Sequence, residues 1–278
     1  MRNKYYLPLI HKGSHSIYPF YRIGGFGLGN MLFPFFRAIC YGIRDGASVL
    51  YPLFNQIQPR NFLREKNMSS LRNYNIIFSK FTWTTLPLIQ SAKIYYCNCW
   101  TDEKDLLNKK NIFFIGCKNY FFDLIEFRDF IRYFVNYSLQ EQPKNFHNNV
   151  AFHIRLGDFL LSNNQIPRDK ILKTIEFFLK KKSYKINIYS DFDLSKLIDY
   201  LGLSSLPLDV RLIKNSSPML DIIDMSNHKI IVGNPRSTFV EWARFLSPVG
   251  LNQKSYSLIS ETAYKKNKIS PLLWNNFL

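Results

Sequence analysis

The sequence contains no uninterrupted apolar run near the roughly 18 residues that a membrane-spanning helix needs. Residues 1–10 are basic but lack the apolar stretch and the cleavage motif of a secretory signal peptide. Cysteine is also scarce, with four in 278 residues. The pair Cys97 and Cys99 has neither the second pair nor the nearby histidines of a zinc site. We therefore expect a cytoplasmic protein with buried free thiols and without a structural metal or a disulfide scaffold.

Acidic residues are outnumbered, because 20 Asp and Glu stand against 37 Lys and Arg, giving a formal net charge of +17 at pH 7. Such an excess favours anionic partners, namely nucleic acid, acidic lipid or phosphorylated small molecules. A local cluster such as 180–182 is more often a solvated helix end, but the excess extends over the whole chain. Hydrophobic residues make up 46% of the sequence, so the low hydrophobicity that marks disordered chains is absent.

Apolar periodicity predicts strands and helices in alternation. In the first half we expect an extended segment at 16–23, a helix at 30–44, short strands at 47–51, 94–99 and 111–115, and a long amphipathic helix at 120–137. In the second half we expect strands at 150–155, 186–190, 210–213 and 228–232, and helices at 168–182, 194–201, 219–225 and 237–246. Strands separated by helices predict an α/β fold with mainly parallel sheets. The polar, proline-containing stretch 140–145 predicts a boundary between two domains, 1–142 and 143–278.

Ligands of open α/β sheets bind beyond the carboxyl ends of the strands, and three predicted strand ends in the second half carry suitable polar residues. The first carries His153, Arg155 and Asp158. Side chains alternate along a strand, so His153 and Arg155 are expected on the same face. The forked guanidinium suits phosphate oxygens, and Asp158 could orient it or accept a proton. A purely structural pair of Arg155 and Asp158 is an equally open interpretation.

The second strand end carries Ser190 and Asp191, and the third is followed by Asn234, Ser237 and Thr238 at the start of a helix. The Asp191 carboxylate could accept N–H bonds from a guanine edge, although capping the next helix is the more common role. Hydroxyls and N–H groups at a helix N-terminus suit phosphate, with a plain Ser or Thr cap as the alternative. Three such strand ends in one domain favour a binding site over coincidence.

A fourth candidate is the glycine-rich stretch 24–29, in which Gly27 and Gly29 precede Asn30 and a predicted helix. Such a stretch can pass close to a diphosphate. Its spacing is not the G-x-G-x-x-G of dinucleotide-binding domains, and the strand predicted at 47–51 has no acidic residue at its end for a ribose. The sequence therefore disfavours a Rossmann dinucleotide site.

Taken together and in order, the four segments resemble the motifs of the α-1,2-fucosyltransferases, glycosyltransferase family 11, in a divergent, bacterial-type form. Residues 26–33 (Phe-Gly-Leu-Gly-Asn-Met-Leu-Phe) are similar to the family's amino-terminal Gly-Asn motif. Residues 153–158 (His-Ile-Arg-Leu-Gly-Asp) resemble its His-x-Arg-Arg-Gly-Asp motif, which the α-1,6- and protein O-fucosyltransferases share more loosely. Residues 188–191 and 221–242 follow the order of its remaining two motifs. The resemblance extends over most of the chain.

The resemblance implies a GT-B-like fold in which domain 1–142 lies on the acceptor side and domain 143–278 binds a GDP-sugar. It implies GDP-fucose as the donor substrate and catalysis without a metal or another cofactor. The resemblance and the strand-end positions together give a set of donor-site residues. The catalytic residues of this set are His153, Arg155 and Asp158, and the binding residues are Gly27, Gly29, Asn30, Ser190, Asp191, Asn234, Ser237 and Thr238. Within this set, His153 and Arg155 would contact the diphosphate.

We therefore expect an inverting transfer of fucose to a glycan hydroxyl, as in α-1,2 linkage of surface polysaccharide or lipopolysaccharide. The general base that such a transfer needs would be Asp158, with Glu241 and Asp224 as weaker candidates. The net charge suits an acceptor carried by a lipid diphosphate at the inner face of an anionic membrane.

Two positions depart from the family pattern, since Leu156 stands where it has a second arginine and Met31 where it has glutamine. A transferase for a different GDP-sugar, or a non-catalytic relative, is therefore an alternative. A basic nucleic-acid-binding protein is the alternative outside the enzymes. The sequence contains no RNA-recognition motif, zinc finger or basic helix, so nucleic acid is not the expected partner.

Overall fold

The computed structural model describes residues 4–8, 16–17, 21–23, 27–50, 55–57, 71–73, 93, 95–97, 109–139, 147–155, 166–180, 184–214, 217–234, 237–250, 254–258 and 276–277. The chain divides into two compact units, Met1–Glu141 and Gln142–Leu278. Their division lies one residue from the boundary expected at 142. The acceptor-side and donor-side roles of the two domains stay predictions.

A parallel sheet with the strand order β4-β1-β8-β7 lies in the first unit. Its strands are β1 (Tyr5–Pro8), β4 (Ser48–Val49), β7 (Tyr95–Cys97) and β8 (Asn111–Phe114). Strand β1 lies inside the sheet, although the sequence did not predict it. A second, mixed sheet has the order β2-β3-β5-β6. Its strands are β2 (Ser16–Ile17), β3 (Tyr21–Ile23), β5 (Asn55–Ile57) and β6 (Leu71–Asn73).

Helix α1 (Leu28–Arg44) is buried on almost every side rather than along one face. Only Asn30, Ile43 and Arg44 of this helix fall outside the buried class. The sequence predicted this helix at 30–44. Its burial is extensive because the helix packs both on the parallel sheet and on the segment that follows β8.

Helix α2 (Arg128–Ser138) is shorter than the helix expected at 120–137. Asn119 and Tyr120 have φ angles of 55° and 45°, in the left-handed region that a right-handed helix cannot contain. Tight turns follow, and a 3₁₀ turn at Ile125–Phe127 leads into the helix. The long-helix prediction was therefore wrong over its first two turns.

The buried Arg37 of α1 makes tertiary hydrogen bonds to this irregular start. Its Nε and Nη2 donate to the Asp123 carboxylate at 3.0–3.1 Å. Its Nη1 and Nη2 also donate to the carbonyl oxygens of Gly116, Lys118 and Tyr120. Arg37 Nη2 donates to the Tyr120 carbonyl at 2.8 Å. A helix that began at Tyr120 would use this carbonyl for its own first backbone hydrogen bond.

The second unit contains a six-stranded sheet with the order β11-β10-β9-β12-β13-β14, and every strand pair in it is parallel. Its strands are β9 (His147–Ile154), β10 (Ile186–Ser190), β11 (Val210–Ile213), β12 (His228–Gly233), β13 (Lys254–Ser257) and β14 (Asn276–Phe277). Its helices are α3 (Arg168–Leu179), α4 (Leu194–Leu201), α5 (Pro218–Ser226) and α6 (Thr238–Phe245). The alternation predicted from sequence is confirmed, although β13 and β14 were not expected.

The two faces of this sheet differ in chemistry. Toward α3 and α4 the strands present the apolar side chains that form the main core of the unit: Val150, Phe152, Ile154, Ile186, Ile188, Ile230 and Val232. Toward α5 and α6 they present polar or aromatic groups, among them Asn187, Tyr189 and His153. Of the strand-end groups, His153 therefore lies on the α5–α6 side of the sheet.

Candidate functional site

The carboxyl ends of β9 and β12 lie side by side. Phe152 is paired with Val232, so the next residues, His153 and Gly233, are neighbours at the edge of the sheet. A Cβ added to Gly233 would lie 3.1 Å from both methyl groups of Val240 and 3.7 Å from the Cβ of His153. The missing side chain of Gly233 thus allows α6 to start directly against the two strand ends.

Ser237 occupies the N-cap position of α6, but its hydroxyl does not cap the helix. The side chain is 2% exposed, and its Oγ has no hydrogen-bond partner among the described residues. The backbone N–H of Ser237 instead donates to the Asn234 carbonyl at 2.9 Å. The plain N-cap alternative is therefore wrong for Ser237, and the hydroxyl is left for another partner. Thr238, the next residue, is half-buried in the first turn of α6.

His153 is 7% exposed, and its ring stacks on Phe239 with centroids 5.2 Å apart and planes 29° apart. Its Nδ1 is buried and meets no hydrogen-bonding atom in the described part of the chain. Burial, with a further contribution from the charge of Arg155, lowers the pKa of His153 to about 3. His153 is therefore neutral at physiological pH and offers a hydrogen bond, while Arg155, directly after β9, supplies positive charge.

Ser190 and Asp191 follow β10 at the same edge of the sheet. Ser190 is in register with Ile154 of β9, so Asp191 and Arg155 leave neighbouring strands at the same level. Ser190 Oγ accepts from the backbone N–H of Phe192 at 3.1 Å and closes the turn that carries Asp191. Asp191 itself is exposed.

The N-cap of α4 is Asp193, whose Oδ1 accepts from the Lys196 N–H and from Ser195 Oγ, both at 2.9 Å. These hydrogen bonds also hold the pKa of Asp193 below its ordinary value. The capping role considered for Asp191 is therefore wrong, because a neighbouring aspartate fills it. Asp191 itself lies directly after β10, before this cap.

Two weaker candidates for a general base are engaged inside the unit. Glu241 is buried, and its Oε2 lies 3.5 Å from Nη1 of Arg244. Asp224 Oδ2 accepts the hydroxyl of Tyr189 at 2.8 Å. Both carboxylates therefore make contacts within the second unit. Asp158 lies outside the described residues, as do Leu156 and Arg236.

The glycine-rich candidates belong to the first unit. Gly27 is extended, with φ −69° and ψ 175°, and its carbonyl accepts from the N–H groups of Asn30 and Met31. Gly29 is buried in the first turn of α1. Asn30 Oδ1 is a further buried atom without a hydrogen-bond partner among the residues that the structure describes. The N-terminal end of α1 therefore also carries a hydrogen-bond acceptor, Asn30 Oδ1, that no described residue uses.

Neither metal ligands nor a membrane span are found where the structure describes the chain. Its described His, Cys, Asp and Glu side chains form no group of three or more that could hold a metal ion. None of its described helices combines the length and hydropathy needed to cross a bilayer. Cys40, Cys97 and Cys117 are free thiols, and the first two are buried.

Sequence reasoning missed two residues of this cluster, Phe239 and Gly233. Phe239 could have been noticed as the aromatic residue in the first turn of the helix that follows a strand-end motif. Gly233 carried a signal too, because a glycine at a strand end before a helix indicates close backbone packing.

No family model and no curated protein sequence matches the chain. Solved structures do. POFUT1 in complex with GDP-fucose has a TM-score of 0.50 at 11% identity, covering 91% of this chain and 97% of that chain. A second crystal form of that complex has a TM-score of 0.49 at 11% identity, covering 88% and 94%. POFUT1 in complex with GDP has 0.47 at 11% identity, with the same coverage. The first match confirms the predicted fold, since this chain has the GT-B-like α/β fold of a fucosyltransferase structure.

Proposed function

We propose that this protein is an inverting fucosyltransferase that moves fucose from GDP-fucose to a hydroxyl of a glycan acceptor. One observation carries the proposal. At the adjoining ends of β9 and β12, the buried His153 Nδ1 and Ser237 Oγ lack hydrogen-bond partners among the described residues. An unpartnered buried polar atom costs about 1–3 kcal/mol, and a bound ligand that supplies the missing bonds recovers that cost.

A diphosphate is the ligand that matches these groups. Its oxygens accept hydrogen bonds from a hydroxyl and from a neutral imidazole N–H, and they are attracted to the positive end of α6. Arg155 adds a permanent positive charge beside the cluster. When the glycosidic bond to GDP breaks, negative charge develops on the diphosphate, and fixed donors at that point lower the barrier.

The remaining residues take roles around this diphosphate site. Asp191 would accept N–H groups of the guanine, and Ser190 would hold the turn that carries it. Asn234 and Thr238 would add contacts to the phosphates, and Asp158 would remove the proton of the acceptor hydroxyl.

The wider setting also belongs to the proposal. Domain 1–142 would bind the acceptor, and domain 143–278 would bind GDP-fucose. The resemblance to glycosyltransferase family 11 supports α-1,2 transfer without a metal, in the synthesis of surface polysaccharide or lipopolysaccharide. The charge of +17 suits an acceptor on a lipid diphosphate and a peripheral position on the inner membrane face.

The test measures release of GDP from GDP-fucose in the presence of a panel of glycan acceptors. Arg155→Ala should lower kcat/KM at least about 100-fold, because it removes the charge that stabilises the leaving group. Arg211→Ala, at an exposed arginine on β11, is the matched control and should leave turnover unchanged.

Substantial activity of Arg155→Ala would contradict the assigned role of the arginine. A parallel panel of nucleotide sugars tests the donor, since turnover of another GDP-sugar in place of GDP-fucose would replace fucose in the proposal. Steeply salt-dependent RNA binding without any response to GDP would indicate a nucleic-acid-binding protein instead.

A further inference from the structure

A buried hydrogen-bond network lies on the α5–α6 face of the second sheet, below the strand ends. The hydroxyl of Tyr189 donates to Asp224 Oδ2 on α5 at 2.8 Å. Tyr189 is almost fully buried. Burial and the Asp224 carboxylate both raise the pKa of Tyr189 above its ordinary value, so the phenol stays protonated and keeps its role as donor.

The backbone of Asp224 extends the network to the first residue of β12. His228 Nδ1 lies 2.8 Å from the Asp224 carbonyl oxygen. A carbonyl can only accept, so Nδ1 must carry the proton. His228 Nε2 then accepts from Asn187 Nδ2 of β10 at 2.9 Å. The rings of His228 and Tyr189 also meet edge to face at 5.9 Å, so β10 is tied at two points to α5 and β12.

Tyr189 is the residue directly before Ser190 and Asp191. Its phenol ties the end of β10 to α5 through Asp224. Ser190 Oγ accepts from the Phe192 N–H and closes the turn that follows the strand. The direction in which Asp191 leaves the sheet therefore depends on both bonds. The residues proposed to bind the diphosphate lie on other elements, with His153 on β9 and Ser237 at the start of α6.

We propose that Tyr189 and Asp224 are positioning residues for the nucleoside end of the donor site, acting through Asp191. The inference rests on the proposed function, since it assigns a role within that same site. It makes Asp224 a support for donor binding rather than a general base. It also separates the two ends of the site, because the diphosphate end is built on other elements.

The experiment compares the affinities of GDP and inorganic pyrophosphate by calorimetry on the full chain. Tyr189→Phe should weaken GDP binding about 10-fold, since it removes the hydrogen bond that ties the end of β10 to Asp224. Pyrophosphate binding should change less than about twofold, because it lacks the nucleoside. Tyr200→Phe is the control, because it removes a hydroxyl that donates to the Ile166 carbonyl on the opposite side of the sheet.

Substitutions at Asp224 supply an independent arm. Asp224→Leu removes the acceptor and should weaken GDP binding as Tyr189→Phe does, whereas Asp224→Asn keeps an oxygen for the phenol and should largely preserve it. The double variant of Tyr189→Phe with Asp224→Leu should be no weaker than either single one. If Tyr189→Phe does not fold, the Asp224 pair carries the same test.

Equal losses for GDP and pyrophosphate, or a Tyr189→Phe variant that matches Tyr200→Phe, would overturn the positioning role alone. A wild-type protein that binds pyrophosphate but not GDP, or neither, would overturn the proposed function and this inference with it. The two failures are therefore distinguished by the wild-type measurement.

Discussion

The two units each bury a polar cluster, and the clusters differ in how well they are paired. Around Arg37 in the first unit, the guanidinium meets the Asp123 carboxylate and three backbone carbonyls. Around His153 in the second unit, the imidazole Nδ1 and the Ser237 hydroxyl find no partner among the described residues. Both clusters are buried to a similar degree.

The difference in pairing separates two uses of buried polarity. A fully paired cluster stabilises one local structure, here the irregular segment between β8 and α2. A cluster with unused donors and acceptors lowers the stability of the free protein, and it persists where a ligand completes it. This contrast predicts opposite mutational outcomes in the two units.

The largest expected effect is in the first unit, where Asp123→Ala would leave the Arg37 charge buried without its carboxylate. Such a loss destabilises a protein by about 3–5 kcal/mol, measurable by chemical denaturation. Asp129→Ala removes an exposed carboxylate from the start of α2 and should change stability little. Equal stabilities of the two variants would contradict the stabilising role of the Arg37–Asp123 cluster.

The next effect distinguishes two buried serines of the second unit. Ser237→Ala removes a buried hydroxyl without a described partner, so it should not lower the free energy of unfolding, and it should lower turnover of GDP-fucose about 10- to 100-fold. Ser226→Ala removes a hydroxyl that donates to the Ile223 carbonyl at 2.7 Å. It should lower stability by about 1 kcal/mol and leave turnover intact. Thermal unfolding and initial rates on both variants decide the matter, and loss of stability in Ser237→Ala would argue for a structural hydroxyl.

A third effect is a pH dependence of stability from His153. Its pKa is about 3 in the folded protein and near 6.5 in an unfolded chain. Below pH 6.5 the unfolded state therefore binds a proton that the folded state does not, and stability is lost as the pH falls toward 3. Between pH 7.5 and 5.5 the loss is about 1.4 kcal/mol. In His153→Gln this loss of stability between pH 7.5 and 5.5 should disappear. An unchanged loss would show that His153 titrates normally in the folded protein.

The smallest effect separates the two aspartates after β10. Asp193→Ala removes the α4 cap and should lower the melting temperature without changing GDP affinity. Asp191→Ala should do the reverse, because the cap is intact and the exposed carboxylate lies at the strand end where the nucleoside is proposed to bind. Differential scanning fluorimetry with and without GDP measures both, and a destabilised Asp191→Ala would return this residue to a structural role.

Much of the second unit was predictable because its elements are defined by short-range patterns. The strands Ile186–Ser190 and Val210–Ile213 and the helix Leu194–Leu201 have the predicted bounds, since apolar periods of two and near four distinguish them. The strand-end residues were predicted for the same reason, because the end of a periodic run can be read locally. Strand β1 was missed, because Tyr5–Pro8 shows no alternation of apolar and polar residues and ends in a proline.

The sequence by itself determined the α/β alternation, the positive charge and the polar residues at each strand end. Only the tertiary structure decided which of those polar groups are paired and which are charged. Arg37 meets Asp123 at a separation of 86 residues, and Tyr189 meets Asp224 at 35, so no local pattern reveals which polar atoms are paired. Phe239, Arg155 and the surrounding sheet likewise make His153 neutral. Hydrogen bonding and desolvation depend on which groups the fold brings within a few ångströms, and that selection is made by packing rather than by neighbours in sequence.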